Sequence, residues 1–191
     1  MKDLRSAVLA ASVWAIALLA VLLPGAAVPL GAIALLAAGG GVLGPGRRRH
    51  GSGLVVLSLL CGAAVALSAA AAQPARDQAA ELGGRAVEVT AEVSSSASVG
   101  SDGRLWLDAR TIRLGPPGRA EALSVPARIG IDPQDGVDLG AEVTVTGQAK
   151  ATDAGERAAL VVFAPTGEVS RPASGVFAIA AQTRADFIER A

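Results

Sequence analysis

Two long apolar blocks without charge stand near the start of the chain, and alternating strand-like segments follow. Ser6 to Gly46 hold no charged residue, and neither do Gly51 to Gln73. Between them stands Arg47-Arg48-Arg49-His50. The first block is 41 residues long, roughly twice the ~20 residues that one helix needs to cross a hydrocarbon core. Pro24-Gly25 near its middle supplies a turn, because proline lacks a backbone donor and glycine tolerates open backbone. The pattern predicts transmembrane helices over about 7–23, 27–43 and 54–72, with residues 1–73 as the membrane region. Ser58, Gly62, Ala66 and Ala70 recur every fourth residue, and such a strip of small side chains lets helix backbones approach closely in lipid. A chance run in an alanine-rich segment would look the same.

Past Gln73-Pro74-Ala75-Arg76 a short helical stretch over 77–82 leads to Gly83-Gly84, and the period changes to two. Val87, Val89, Ala91 and Val93 alternate with Glu88, Thr90, Glu92 and Ser94, the signature of a strand with one buried face. Leu105, Leu107 and Ala109 alternate next, but Ile112 and Leu114 break the phase, which predicts a β-bulge near Arg110. Val125 to Ile131 gives a third strand, with Pro126 placing its start at a sheet edge. Strands through Val143–Gly147 and over 160–164 complete a set of five. Short strands at this spacing, separated by turn signals, predict a small OB-like barrel or sandwich over 76–173. Residues 174–191 return to a helical pattern. Val176, Phe177, Ala180, Ala181, Phe187 and Ile188 share a side, predicting an amphipathic helix. The fold class is thus a membrane-anchored α + β chain.

Charge changes the picture by fixing orientation. Over the whole chain the formal net charge is zero, yet residues 1–73 carry only Lys2, Asp3, Arg5 and Arg47–Arg49. Basic loops stay on the cytoplasmic side. With three crossings, Lys2 and Arg5 share a side with Arg47, Arg48 and Arg49, and the β domain lies outside the cell (inner) membrane as part of a multi-pass protein. A signal peptide is the competing reading of the N-terminus, but the uncharged run is far longer than a signal core. The lipid bilayer is therefore the first expected partner.

Chemistry is sparse. His50 is the single histidine and Cys61 the single cysteine, and there is no tyrosine. No nucleophile or metal constellation can be assembled from these, and neither an enzymatic activity nor a cofactor is expected. Cys61 reads as a small packing residue. Asp132, Asp135 and Asp138 with Gly136 do not have EF-hand spacing and read as a turn. From Arg76 to Arg171 ten basic residues face fourteen acidic ones, a net of −4, whereas phosphate backbones are held by positive charge and single strands by aromatic platforms. Arg104, Arg110 and Arg113 around Trp106 form the local patch suited to nucleic acid, while an isolated strand tryptophan also serves as a packing anchor.

The order of these parts resembles the N-terminal region of the ComEC family, the bacterial channels that carry DNA across the inner membrane during natural transformation. The resemblance rests on Asp3-Leu4-Arg5 opening an apolar region with Trp14, on the arginine-rich junction before a further apolar helix, and on Leu139-Gly140-Ala141-Glu142-Val143-Thr144-Val145-Thr146-Gly147 in the β domain. Arg184-Ala185-Asp186-Phe187 is similar to the segment that leads into the family's channel helices. The resemblance implies an extracytoplasmic OB domain that guides single-stranded DNA or braces the channel. It also implies a partnership with a multi-helix channel domain or subunit, which this sequence does not contain. A membrane-tethered structural or protein-interaction domain with no DNA role is the alternative.

Overall fold

The computed structural model describes residues 4–43 and 52–189. Lys2 and the Arg47–His50 cluster lie outside the described residues, and Arg5 falls within the first helix. The chain divides into two compact units, Met1–Pro74 and Ala75–Ala191.

The first unit holds α1 (Leu4–Leu22), a 3-10 turn (Pro24–Ala26) and α2 (Ala27–Leu43). Helix α3 (Ser52–Ala80) begins here and runs on through Pro74 into the second unit. The turn forms where proline and glycine predict it, with Ala26 N–H donating to Leu23 O at 2.8 Å. The strip of small residues on α3 is a packing face. Ala66 is fully buried together with Ala20 and Ala27. A Cβ added to Gly62 would come within 2.9 Å of Ile16 Cδ1, and one on Gly31 within 3.1 Å of Leu67. Small residues thus face inward while large apolar ones face outward, Trp14 at 68% and Leu36 at 77% exposure.

Three crossings were expected; among the described residues only Gly53–Ala80 is long and apolar enough to cross a membrane. The turn divides the first block into apolar helices that are shorter, Ala10–Leu22 and Ala27–Gly40, under the ~20 residues that a crossing takes. The third helix is longer than expected. Its break near 73–76 does not occur, although an internal proline forfeits a helical hydrogen bond. Alanine, the strongest helix former, surrounds Pro74, and Ala79 packs fully buried in the barrel core.

The second unit contains β1 (Ala86–Val93), β2 (Ser98–Val99), β3 (Leu105–Gly115), β4 (Glu121–Ala122), β5 (Pro126–Ile131), β6 (Glu142–Ala151), β7 (Leu160–Phe163), β8 (Gly167–Arg171) and α4 (Val176–Glu189). Strands β1-β3-β5-β7-β6 neighbour one another in that order, and β1 pairs with β6 to close the ring. All these pairs are antiparallel except β5–β7. The result is a five-stranded OB-like barrel, with β2 and β4 as short additions to β3 and β8 flanking β6. Its core is small and aliphatic: Val87, Val89, Leu107, Ile129, Ile131, Val143, Val145, Leu160 and Val162 are all at most 1% exposed.

The bulge lies two residues beyond its predicted place. Thr90 pairs with Arg113 and Ala91 with Thr111, so Ile112 is the extra residue. Ile112 and Arg113 are both exposed, and Leu114 returns to the interior. Pro126 opens its strand as expected, but the strand is interior, flanked by β3 and β7. A first residue can lack a donor there, and its carbonyl still accepts Ala159 N–H at 2.7 Å. The predicted tail helix forms as α4. Phe177 packs against Gly140 (φ 83°), where a Cβ would meet the ring at 2.7 Å. Val176 and Ile179 remain exposed, and the side chains of Phe187 and Ile188 fall outside the described ones.

Candidate nucleic-acid interface

Alternation on β3 turns Trp106, Asp108 and Arg110 outward while Leu107, Ala109 and Thr111 enter the core. The register sets Trp106 opposite Gly130 and Asp108 opposite Arg128 on β5. Gly130 matters because it has no side chain: a Cβ there would stand 2.9 Å from the indole. The ring therefore lies across β5 and reaches Phe163 on β7, edge to face at 5.5 Å between centroids and 86° between planes. The Arg128 guanidinium sits 5.2 Å from the indole centroid, within cation–π range.

The β2–β3 loop closes over the polar edge of this cluster. Trp106 Nε1–H donates to both carboxylate oxygens of Asp102, at 3.1 and 3.2 Å. That bond is the main reason the Asp102 carboxyl titrates below its ordinary range, since a hydrogen bond to the charged form favours it. Arg104 donates to Ala164 O at 3.2 Å, and Arg110 to Ser124 Oγ at 3.5 Å. A polar recess of about 150 Å³ lies among Ser95, Ser96, Ser98, Trp106, Asp108 and Arg128. Arg157, on the β6–β7 loop, reaches Asp108 at 3.5 Å.

Of the four residues predicted from sequence, Trp106 lies at the centre. Arg104 and Arg110 flank it on the same strand and its loop. Arg113 turns away: its Nε and Nη2 donate to Ala120 O at 3.2 and 2.6 Å, capping the β3–β4 turn. The extra residue Ile112 restores the outward phase of Arg113, and it is the bonds to Ala120 O that occupy its guanidinium. Arg128 and Phe163 were not in the predicted patch. Their outward phase was readable from Ala127/Ile129 and Leu160/Val162, but only the strand register brings them to Trp106.

Charge is segregated around the barrel. The β3–β5–β7 side presents Arg104, Arg110, Arg128 and Arg157 against Asp102 and Asp108, whereas β1, β6 and β8 carry Glu88, Glu92, Glu142 and Glu168 against Lys150 and Arg171. A domain that is acidic in sum thus has a basic side with two aromatic rings.

The ring of five strands defines the class, an OB-like barrel, and the comparisons add little to it. No family model matches the chain, and no curated protein matches it in sequence. Among solved structures it is similar to the dimeric N-terminal domain of PriB protein from Thermoanaerobacter tencongensis, at 17% identity and a TM-score of 0.29, over 44% of this chain and 93% of that one. The OB-like assignment rests on strand order and closure, and the resemblance to ComEC on the sequence motifs alone.

Proposed function

We propose that this chain is a membrane-anchored module of DNA uptake, similar to the N-terminal region of ComEC. In this reading its β3–β5–β7 face takes single-stranded DNA outside the cell membrane. The observation that carries it is the Trp106–Arg128–Phe163 cluster, whose first two members lie on β3 and β5, the strand pair that OB-folds use for oligonucleotides and oligosaccharides, with Phe163 beside them on β7. Phe163, 38% exposed, offers a base a stacking surface beside the packed indole, and base–aromatic stacking is sequence-tolerant. Arg104, Arg110 and Arg128 supply the charge that phosphates need.

The inverted packing of the first unit supports the bilayer reading. Lipid gives large apolar side chains no reason to hide, and small residues let helices meet. In this reading α3 crosses, and the α1–α2 hairpin packs beside it within the membrane. Orientation survives the lower helix count, because one crossing and three are both odd. Arg47–Arg49 hold the cytoplasmic end, and the barrel is delivered outside.

A second reading, a structural or protein-interaction domain that braces a channel, is favoured by one specific observation. The indole N–H is already satisfied by Asp102, as for a packing anchor. Titration of the full chain in nanodiscs with fluorescent oligothymidylate decides between them. The DNA reading predicts binding that weakens at least tenfold when Arg110 and Arg128 are both replaced by Gln. Absence of binding at low salt supports the brace.

A further inference from the structure

We infer that Asp108 occupies the position of a phosphate on this face, holding Arg157 until an incoming phosphodiester displaces it. The inference rests on the DNA reading above and assigns a role to two residues outside its core cluster.

Asp108 is an acid on the basic side of the barrel. Its main chain is fixed, with Ser94 N–H donating to its carbonyl at 2.9 Å and its own N–H donating to Ser95 Oγ at 3.3 Å. Its cross-strand partner Arg128 has its guanidinium over the Trp106 ring. The carboxylate instead meets Arg157 through one contact of 3.5 Å, Nη1 to Oδ2.

The loop that carries Arg157 is held by its backbone. Thr152 Oγ1 donates to Ala158 O at 2.6 Å, and Ala159 N–H to Pro126 O at 2.7 Å. Arg76 donates to Glu156 O and Arg157 O at 3.3 and 3.0 Å. A positioned loop thus presents a side chain that is itself 83% exposed. A long exposed cation on a fixed base, restrained through one 3.5 Å contact to a carboxylate that is one-third exposed, is cheap to redirect, because loose ion pairs at the surface contribute little. A phosphodiester offers the guanidinium a bidentate partner that a single 3.5 Å contact does not. Asp108 therefore sets a threshold. It weakens binding of anything less charged than a nucleic-acid strand, and it keeps Arg157 aimed at the recess beside Trp106.

The test is a double-mutant cycle in the full chain in nanodiscs, read by anisotropy of fluorescent oligothymidylate across a salt series. Asp108→Asn is expected to tighten binding roughly threefold or more at low salt. The log–log salt slope should stay that of wild type, because Arg157 meets a phosphate in both complexes, whereas Arg157→Gln should flatten it by about 0.7, the increment for one phosphate contact on a single strand. In an Arg157→Gln background Asp108→Asn should tighten binding far less than it does with Arg157 present. A tightening by Asp108→Asn that persists undiminished without Arg157, or an Arg157→Gln slope equal to that of wild type, overturns the inference. The DNA reading itself is checked separately by Arg128→Gln, which should weaken binding in either background. If the wild type and every variant fail to bind, both fall together.

Discussion

Two glycines and one threonine show how single positions hold the barrel. A Cβ on Gly147 would fall on the Phe163 carbonyl oxygen, which is backbone and cannot yield, whereas one on Gly130 would press on the indole of Trp106, which can. Gly147→Ala should therefore destabilise by about 3 kcal/mol, the upper end of overpacking costs. Gly130→Ala should cost about 1 kcal/mol and shift the Trp106 emission, read in a Trp14→Phe background. Thr111 is the one buried polar side chain among the described residues. Its hydroxyl donates to Leu123 O and accepts Val125 N–H at 2.9 Å. Thr111→Val strands both groups at about 1–3 kcal/mol each, while Thr111→Ser should keep most of the stability. Denaturant unfolding of the detergent-solubilised chain reads all three. The Asp102–Trp106 bond adds a pH dependence of defined sign. The folded pKa is depressed, so the contribution is fully present above the unfolded value of about 3.9 and is lost as pH falls through the lower folded value. Trp106 emission should titrate below pH ~3.9, and Asp102→Asn should remove that titration.

Elements differ in how far the sequence disclosed them, for physical reasons. β1 was legible because period two runs through eight residues with valine or alanine at every inward position. β8 was not, because its one inward aliphatic, Val169, stands between Glu168 and Ser170; what makes it a strand is β6 beside it, a partner no local pattern encodes. The bulge was detectable as a phase error but not placeable, since only pairing with β1 shows which residue is extra. In the same way the sequence marked Trp106 and its neighbouring arginines. It could not add Arg128 and Phe163, which lie 22 and 57 residues away along the chain and meet it only through register. The α3 strip was legible as a spacing, and the helices make it an interface. Ala66→Leu should disrupt it, because a fully buried methyl position among Ala20 and Ala27 has no room. The expected outcome is faster proteolysis of the first unit in detergent, with the barrel resistant.

At the scale of the whole molecule the decisive pattern is segregation. Charge is absent from the apolar blocks, concentrated at Arg47–Arg49, and then divided between the basic and acidic sides of the barrel. In the proposed account the first two features set orientation and the last sets what the barrel meets. Single cysteines placed in a Cys61→Ser background test orientation. Ser101→Cys should react with an impermeant maleimide on intact cells, and His50→Cys only after permeabilisation. The reverse labelling would put the barrel in the cytoplasm and remove the DNA-uptake reading with it. The central claim is that single-stranded DNA lies across β3, β5 and β7. Its most direct test is photocrosslinking of a bromouracil-substituted single strand to the full chain in nanodiscs, with the linked residues identified by mass spectrometry. The account predicts crosslinks at Trp106 and Phe163; crosslinks confined to the β1–β6–β8 side, or none at low salt, would contradict it.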